Sequence, residues 1–137
     1  MNIKEINVHI DGASRGNPGP AGIGILITDT EGNIIKEHKK FLGFDHTNNE
    51  AEYLALRNAL KLAIKSCKGI VHVFSDSQLL IRQLIGIYQV RKEHLRKLFV
   101  EIKAMEIAFE KVIYTHIRRE QNEHADRLAN EAIDEAI

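Results

Sequence analysis

The chain has 137 residues, 44% of them hydrophobic, and its 19 basic side chains balance 19 acidic ones. This composition predicts one domain over residues 1–137 with a sizeable core, and it lacks the strongly basic balance of many nucleic-acid-binding domains. A single cysteine, no signal-peptide core and no apolar run of membrane-spanning length predict a cytoplasmic protein without a membrane segment, and the balanced charge favours a monomer.

Strand and helix periodicities alternate along the chain. Ile6, Val8 and Ile10 alternate with polar residues, which predicts a strand that ends in the Gly/Pro-rich stretch 12–19. Two further strands complete an antiparallel meander, and a helix follows whose N-cap is Thr47 or Asn48. The predicted elements after the first strand are strands at 21–28 and 33–42, a helix at 48–66, a strand at 70–74, helices at 78–85 and 92–109, a strand at 111–117 and a helix from 122. The order βββαβααβα predicts an α/β fold with a mixed sheet flanked by helices.

Four acidic residues in separate stretches each stand beside a turn or a helix start. They are Asp11, Glu52, Asp76 and Asp126. Carboxylates are hard oxygen ligands that suit Mg²⁺ or Mn²⁺, and gathering several of them is so repulsive that a fold does so mainly to hold cations. The four acids therefore indicate a metal site and favour a nuclease.

Helix geometry separates neighbouring acids. Glu52 shares a helix face with Leu56 and Ala59, which turns it toward the core, whereas Glu50 is expected to face solvent. Asp126 interrupts the apolar face of the last helix near its start, and a buried acid there needs a partner.

Each acid taken alone also has a structural explanation. Asp76 can cap the helix that Ser75 or Asp76 opens, Asp126 can favour the positive end of its helix, and Asp11 can close an Asx turn. The structural explanation is weakest for Glu52, which points inward in the first turn of its helix without a nearby basic partner in sequence. One shared site accounts for all four acids together. The basic stretch 82–103 stays open between a phosphate-binding surface and a solvated helix face.

Four segments carry a family resemblance. DGASRGNPGPAGIG, TNNEAEYLAL, SDSQLLIRQL and REQNEHADRLANEA resemble, in order and spacing, the motifs of type 1 ribonuclease H. The compact archaeal and bacterial form is the most similar, because a short QLIGIYQVR segment stands in place of a basic protrusion. The resemblance implies a ribonuclease H-like fold with a five-stranded mixed sheet, which agrees with the element order above.

The resemblance also implies an activity and its residues. Asp11, Glu52, Asp76 and Asp126 match the metal-binding catalytic acids, which with two Mg²⁺ or Mn²⁺ ions would hydrolyse the RNA strand of RNA–DNA hybrids to 5′-phosphate and 3′-hydroxyl ends. Residues that match contacts to the hybrid's minor groove, its backbone or a phosphate pocket of the DNA strand are Gly12, Asn17, Thr47, Asn48, Asn49 and Gln78. For these polar residues, turn and cap chemistry is the alternative.

Other positions depart from the family pattern or leave two explanations open. Many family members use a histidine on a flexible loop before the last helix to assist water activation or product release. The only nearby match here is His116, which the preceding apolar run makes a strand-end residue with its ring fixed by packing. Arg118 and Arg119 are candidates for part of that role, either stabilising charge or anchoring phosphate. Tyr88 and Arg91 are candidates for holding the DNA backbone, and core packing is the alternative for Tyr88.

Two rival functions stay in view. A non-catalytic hybrid-binding module would have lost a carboxylate, and this chain keeps all four. A nuclease of the same fold that acts on double-stranded RNA or branched DNA would lack the TNN and RGNPGP segments, which are present. Activity on double-stranded RNA remains open as a side reaction.

Overall fold

The computed structural model describes residues 3–137, which form a five-stranded sheet with helices on both faces. The elements, in chain order, are β1 (Ile3–Ser14), β2 (Gly19–Asp29), β3 (Ile34–His46), α1 (Asn48–Ala63), β4 (Cys67–Ser75), α2 (Gln78–Leu84), α3 (Glu93–Glu106), β5 (Lys111–His116), a short 3₁₀ turn (Arg119–Gln121) and α4 (Glu123–Ala136). This order confirms the predicted α/β fold. Within residues 3–137, no helix is long and apolar enough to cross a membrane.

The sheet opens a crevice at one end of its central strands. Its order is β3-β2-β1-β4-β5, with β1, β2 and β3 antiparallel as the meander predicts, and with β4 parallel to both β1 and β5. The pairing of β1 with β4 ends at His9 and Phe74, and from there β1 continues alongside β2 while β4 runs into α2. Sheets of this kind bind ligands in the crevice where neighbouring strands diverge at their carboxyl ends.

The two faces of β2 pack against different helices. Its isoleucines are buried with α1 side chains in the main core. Gly22 and Gly24 point the other way, toward α4, where a Cβ on Gly24 would overlap the carbonyl oxygen of Ala125 and come within 2.8 Å of Leu128 Cβ. The glycines therefore let α4 lie directly on the backbone of β2.

The start of α1 corrects one prediction and decides another. Thr47 is the N-cap, and its side chain accepts from the N–H of Glu50 at 3.1 Å while the Glu50 carboxylate accepts from the N–H of Thr47. Glu50 is therefore half-buried in a capping box, and the expectation that it faces solvent is wrong. The helix also ends earlier than predicted, at Ala63, because the chain must extend by Cys67 to pair with β1.

We expect Gly24→Ala to lower the free energy of unfolding by about 2–3 kcal/mol, because the added methyl group collides with the backbone of α4 and the helix must shift. Thermal and urea unfolding measure the effect. Gly32→Asn is the control, because nothing lies within 4 Å of a Cβ at this turn and the cost is limited to the strain of φ +88°, which asparagine bears better than most residues. Equal stability of Gly24→Ala and the parent chain would contradict this packing of α4.

Candidate active site

Asp11 and Asp76 lie next to each other at the crevice because their strands run parallel. Each stands two residues beyond the last β1–β4 pair, His9 with Phe74. Asp11 is still within β1, opposite Gly24 of β2, and is only 5% exposed. An extended, paired residue does not close an Asx turn, so that explanation of Asp11 is wrong.

Glu52 reaches the same place because α1 crosses β1 at very close range. A Cβ on Gly12 would overlap the backbone of Ala51, so only glycine fits under the first turns of α1. The N–H of Gly12 donates to Glu52 Oε1 at 3.0 Å, and the buried Ser75 hydroxyl donates to Oε2 at 3.5 Å. Glu52 is 6% exposed, which confirms that it turns inward.

Capping of α2 does not use the Asp76 carboxylate. The N-cap is Ser77, whose Oγ accepts from the N–H of Leu80 at 3.2 Å, while Ser75 Oγ accepts from the N–H of Ser77 at 3.0 Å. The prediction that Ser75 or Asp76 opens this helix is therefore wrong. Because serines satisfy the start of α2, the Asp76 carboxylate is left for the crevice.

The acids converge on one pocket. One carboxylate oxygen from each of Asp11, Glu52 and Asp76 lies within 4.8 Å of the others. Asp126 approaches from α4 and lines the same pocket, which is deep beside Asp11 and Glu52 and more open beside Asp126. Asp126 also stands in the first turn of α4, so its expected favourable position near the helix start coexists with its place in the pocket.

Burial and mutual repulsion disfavour the charged forms of these acids. Burial first, and then the neighbouring Glu52 and Asp76 carboxylates, raise the pKa of Asp11. Burial also raises the pKa of Glu52, against the hydrogen bond from Gly12. The pKa of Asp76 is raised by burial and by Asp126, although the Arg119 guanidinium opposes this. The pocket therefore gathers carboxyl groups whose charged forms the protein alone does not compensate.

The predicted amide residues are placed around this pocket to different degrees. Asn48 and Asn49 line it together with Gly12. Asn17 lies in the β1–β2 loop, residues 15–18, and its Oδ1 accepts from the N–H of Asn48 at 2.8 Å. Thr47 is the N-cap of α1 and does not itself line the pocket. Gln78 is exposed at the start of α2 and does not line it either.

The three auxiliary candidates differ in position. Arg119 lines the pocket with the acids. Arg118 is exposed and its backbone N–H donates to Gln121, outside the pocket lining. His116 ends β5 as predicted, but its side chain is exposed, so the expectation that packing fixes its ring is wrong.

Tyr88 and Arg91 lie away from the carboxylates in a second groove. This groove, between the α2–α3 connection and α3, is also lined by Arg96 and Phe99. Tyr88 is 45% exposed, and its hydroxyl accepts from the Arg82 guanidinium at 2.7 Å. Core packing is therefore the wrong explanation for Tyr88.

Three residues near the acids were not predicted. Ser75 holds Glu52, while Arg15 and Asn130 line the pocket and hydrogen-bond to each other at 3.2 Å. The sequence contained one signal for Asn130, its position four residues after Asp126 on the same helix face. Nothing in the sequence connects Asn130 with Arg15.

Comparisons with known proteins agree with this geometry. A family model described as reverse transcriptase-like matches residues 9–132. Ribonuclease HI of Halobacterium salinarum is 40% identical over 131 residues, covering 96% of this chain and 65% of that protein. A bifunctional protein of Mycobacterium tuberculosis is 38% identical over 133 residues, covering 96% of this chain and 36% of that protein.

A solved structure is equally similar. LC11-RNase H1 in complex with an RNA/DNA hybrid superposes with a TM-score of 0.89 at 42% identity, covering 96% of this chain and 98% of that chain. This chain belongs to the type 1 ribonuclease H family. It spans less than two thirds of the length of the Halobacterium ribonuclease H and about a third of the mycobacterial protein.

The ribonuclease H family is metal-dependent, and the donor set of this chain fits divalent cations. Asp11, Glu52 and Asp76 offer oxygen ligands only, the preference of hard cations such as Mg²⁺ and Mn²⁺. Their raised pKa values indicate that the protein alone does not stabilise their charged forms. A cation at this position would supply the missing charge.

The raised pKa values of this ribonuclease H family member predict a pH-dependent stability without metal. The folded state holds protons on Asp11 and Glu52 that the unfolded chain releases near their ordinary pKa values of 3.8 and 4.5. Stability in EDTA should therefore fall as pH rises from about 4 through neutrality. At pH 8 in EDTA we expect the free energy of unfolding of Asp11→Asn to exceed that of the parent chain by at least about 1.4 kcal/mol, the equivalent of one pKa unit.

Thermal unfolding from pH 4 to 9, with EDTA and with Mg²⁺, measures this effect. Glu31→Gln, which removes an exposed acid from the β2–β3 turn, is the control and should change little. Added Mg²⁺ should stabilise the parent chain at pH 8 more than Asp11→Asn. A parent chain whose stability in EDTA does not change over this pH range would contradict the argument.

Proposed function

We propose that this chain is a metal-dependent endoribonuclease that hydrolyses the RNA strand of RNA–DNA hybrids, leaving 5′-phosphate and 3′-hydroxyl ends. The observation that carries the proposal is the convergence of Asp11, Glu52 and Asp76 within 4.8 Å, in a pocket that Asp126 and two asparagines also line. Membership of the type 1 ribonuclease H family and likeness to a hybrid-bound RNase H1 support the substrate.

The four carboxylates are proposed to hold two Mg²⁺ or Mn²⁺ ions. When bound, such ions supply Lewis acidity that activates water against the scissile phosphate and stabilises the departing 3′ oxygen. Asp11 and Glu52 form the deep part of the ligand set, where both are buried and where Gly12 and Ser75 hydrogen-bond to Glu52. Asp76 and Asp126 lie at its more open side, where the phosphate would approach.

Among the auxiliary candidates, we favour Arg119 as the cation that contacts the scissile phosphate. Its guanidinium lies near enough to Asp76 to oppose the raised pKa of that acid, and it lines the pocket. A guanidinium stays charged at any working pH and can donate two parallel hydrogen bonds to phosphate. His116 also acts electrostatically on Asp76 but is exposed outside the pocket lining, which suits product release better than water activation.

Recognition of RNA is proposed for the amide groups around the pocket. The oxygens of Asn17 and Asn48 already accept backbone N–H groups, at 2.8 and 2.9 Å, so each amide has its NH₂ group to offer. With Asn49, Gln78, Thr47 and Gly12, they form the surface that would contact 2′-hydroxyls and backbone in the wide minor groove of a hybrid. The protein contacts of Asn17 and Asn48 also fix their orientation before substrate arrives.

The groove of Tyr88 and Arg91 is proposed to hold the DNA backbone. Arg91 and Arg96 line the groove with the exposed Tyr88, and the Arg82 guanidinium lies over the Tyr88 ring, so the groove offers both charge and a flat surface. In binding the DNA backbone, this groove would replace the basic protrusion, which the compact form lacks. A monomeric state, a cytoplasmic location and side activity on double-stranded RNA stay predictions from the sequence.

We expect the parent chain with Mg²⁺ or Mn²⁺ to cut a labelled RNA–DNA hybrid in preference to matched RNA–RNA and DNA–DNA duplexes. Asp76→Asn should lower the cleavage rate at least about 100-fold, because losing a metal ligand exceeds the 10–100-fold cost of losing an outer partner. Glu31→Gln should cleave at the parental rate.

Each other outcome points to a rival function. Hybrid binding without cleavage by the parent chain would identify a binding module. Faster cutting of double-stranded RNA than of the hybrid would identify a different nuclease. Cleavage by Asp76→Asn at the parental rate would exclude Asp76 as a metal ligand.

We expect Arg91→Gln to weaken hybrid binding to a similar extent for all sequences, because a phosphate contact carries no base information. Replacing one phosphate-binding residue should also reduce the slope of log affinity against log salt by about 0.7–0.9. Fluorescence anisotropy in Ca²⁺ or EDTA from 50 to 200 mM salt measures both. The control is Lys65→Gln, an exposed charge beyond the far end of α1. An unchanged salt slope for Arg91→Gln would exclude the groove as a phosphate site.

A further inference from the structure

A chain of polar side chains leads from Asp126 back to the β1–β2 loop. Asn130, one helical turn after Asp126, donates from Nδ2 to Asp126 Oδ1 at 3.2 Å and to its carbonyl oxygen at 3.0 Å. Arg15 in the loop donates from Nη2 to Asn130 Oδ1 at 3.2 Å. Its Nη1 pairs with Asp134 Oδ1 at 2.7 Å, one further turn along α4.

This series of polar side chains permits only one orientation of the Asn130 amide. A guanidinium has only donors, and the Asp126 carbonyl oxygen, which Asn130 Nδ2 also contacts, can only accept. With Arg15 on one side and Asp126 on the other, the amide oxygen must face Arg15 and the NH₂ group must face Asp126. A flipped amide would set donor against donor and acceptor against acceptor. Arg15 and the Asp126 carbonyl oxygen thus together set the orientation in which Asn130 presents its NH₂ group to the Asp126 carboxylate.

We propose that Asn130 is a positioning residue, which aims the Asp126 carboxylate into the pocket that it shares with Asp11 and Asp76, and that Arg15 helps to set the orientation of Asn130. The inference rests on the proposed metal-dependent nuclease function. Asp126 needs such help because it is half-buried on the first turn of α4, whereas Glu52 is enclosed by β1 and β4. Asn130 restricts rotation of a carboxylate that the fold does not enclose.

The β1–β2 loop also contacts both helices that carry acids of the pocket. Asn17, two residues after Arg15, accepts from the first N–H of α1 at Asn48, while Arg15 reaches α4. The loop therefore links α1 to α4 beside the pocket.

The test compares Asn130→Ala with Asn58→Ala in the full chain. Asn58 on α1 is a matched control because its Nδ2 also donates to the carbonyl four residues earlier, that of Leu54, at 2.9 Å and without a carboxylate partner in that bond. Calorimetry measures Mn²⁺ binding without nucleic acid, cleavage measures the half-activating Mn²⁺ concentration, and thermal unfolding in EDTA measures stability.

We expect Asn130→Ala to raise the half-activating Mn²⁺ concentration and weaken calorimetric Mn²⁺ affinity about tenfold, the usual cost of losing an outer partner of a metal ligand. The KM for hybrid at saturating Mn²⁺ should stay within about twofold of the parental value, since Asn130 acts through Asp126. Asn58→Ala should bind Mn²⁺ as the parent chain does. Arg15→Ala should shift Mn²⁺ affinity in the same direction, and the double variant should be no worse than Asn130→Ala.

Two results would overturn the positioning role. One is an Mn²⁺ affinity of Asn130→Ala equal to that of Asn58→Ala. The other is additive losses for Arg15→Ala and Asn130→Ala, which would mean that the two residues act independently. A parent chain that binds Mn²⁺ but does not cut the hybrid would refute the proposed function alone, because the calorimetric comparison would still decide the role of Asn130.

Discussion

The site depends on one close contact, the crossing of α1 over β1 at Gly12. No side chain fits between the strand and the helix at this point, and the Gly12 N–H donates directly to the Glu52 carboxylate. The crossing brings Glu52 onto Asp11 and sets the first residues of α1, Asn48 and Asn49, at the rim of the pocket. A single missing Cβ thus sets the distance between two carboxylates and the position of the amides beside them.

The carboxylate cluster opposes the stability of the fold that holds it. Burial and mutual repulsion raise the pKa values of Asp11, Glu52 and Asp76, so the uncompensated site favours protonation. Asp11 lies on a paired strand, Glu52 on a capped helix and Asp76 in the short connection between β4 and α2, and the fold holds the three together despite their repulsion. Such a conflict between local stability and global structure is typical of functional sites, and a bound cation would resolve it.

The pocket combines parts that the fold encloses to different degrees. β1, β4 and α1 enclose Asp11 and Glu52, whereas Asp126 comes from α4 on the opposite face of the sheet, where Gly24 admits the helix. The β1–β2 loop spans this division, because Arg15 binds α4 and Asn17 binds α1. The loop proposed to meet the substrate is therefore also the part that holds the two helices in register.

The sequence by itself determined the element order, the inward face of Glu52 and the four acids, because periodicity and residue type are local properties. Local signals were ambiguous where several residues could fill one role, so the α2 cap moved to Ser77 and Glu50 proved to be half-buried in a capping box. The tertiary structure alone decided which distant groups meet. Arg15 and Asn130 are separated by 115 residues, and their contact exists only because α4 lies on the glycines of β2 beside the loop. Contacts of that range depend on how elements pack, which no local pattern encodes.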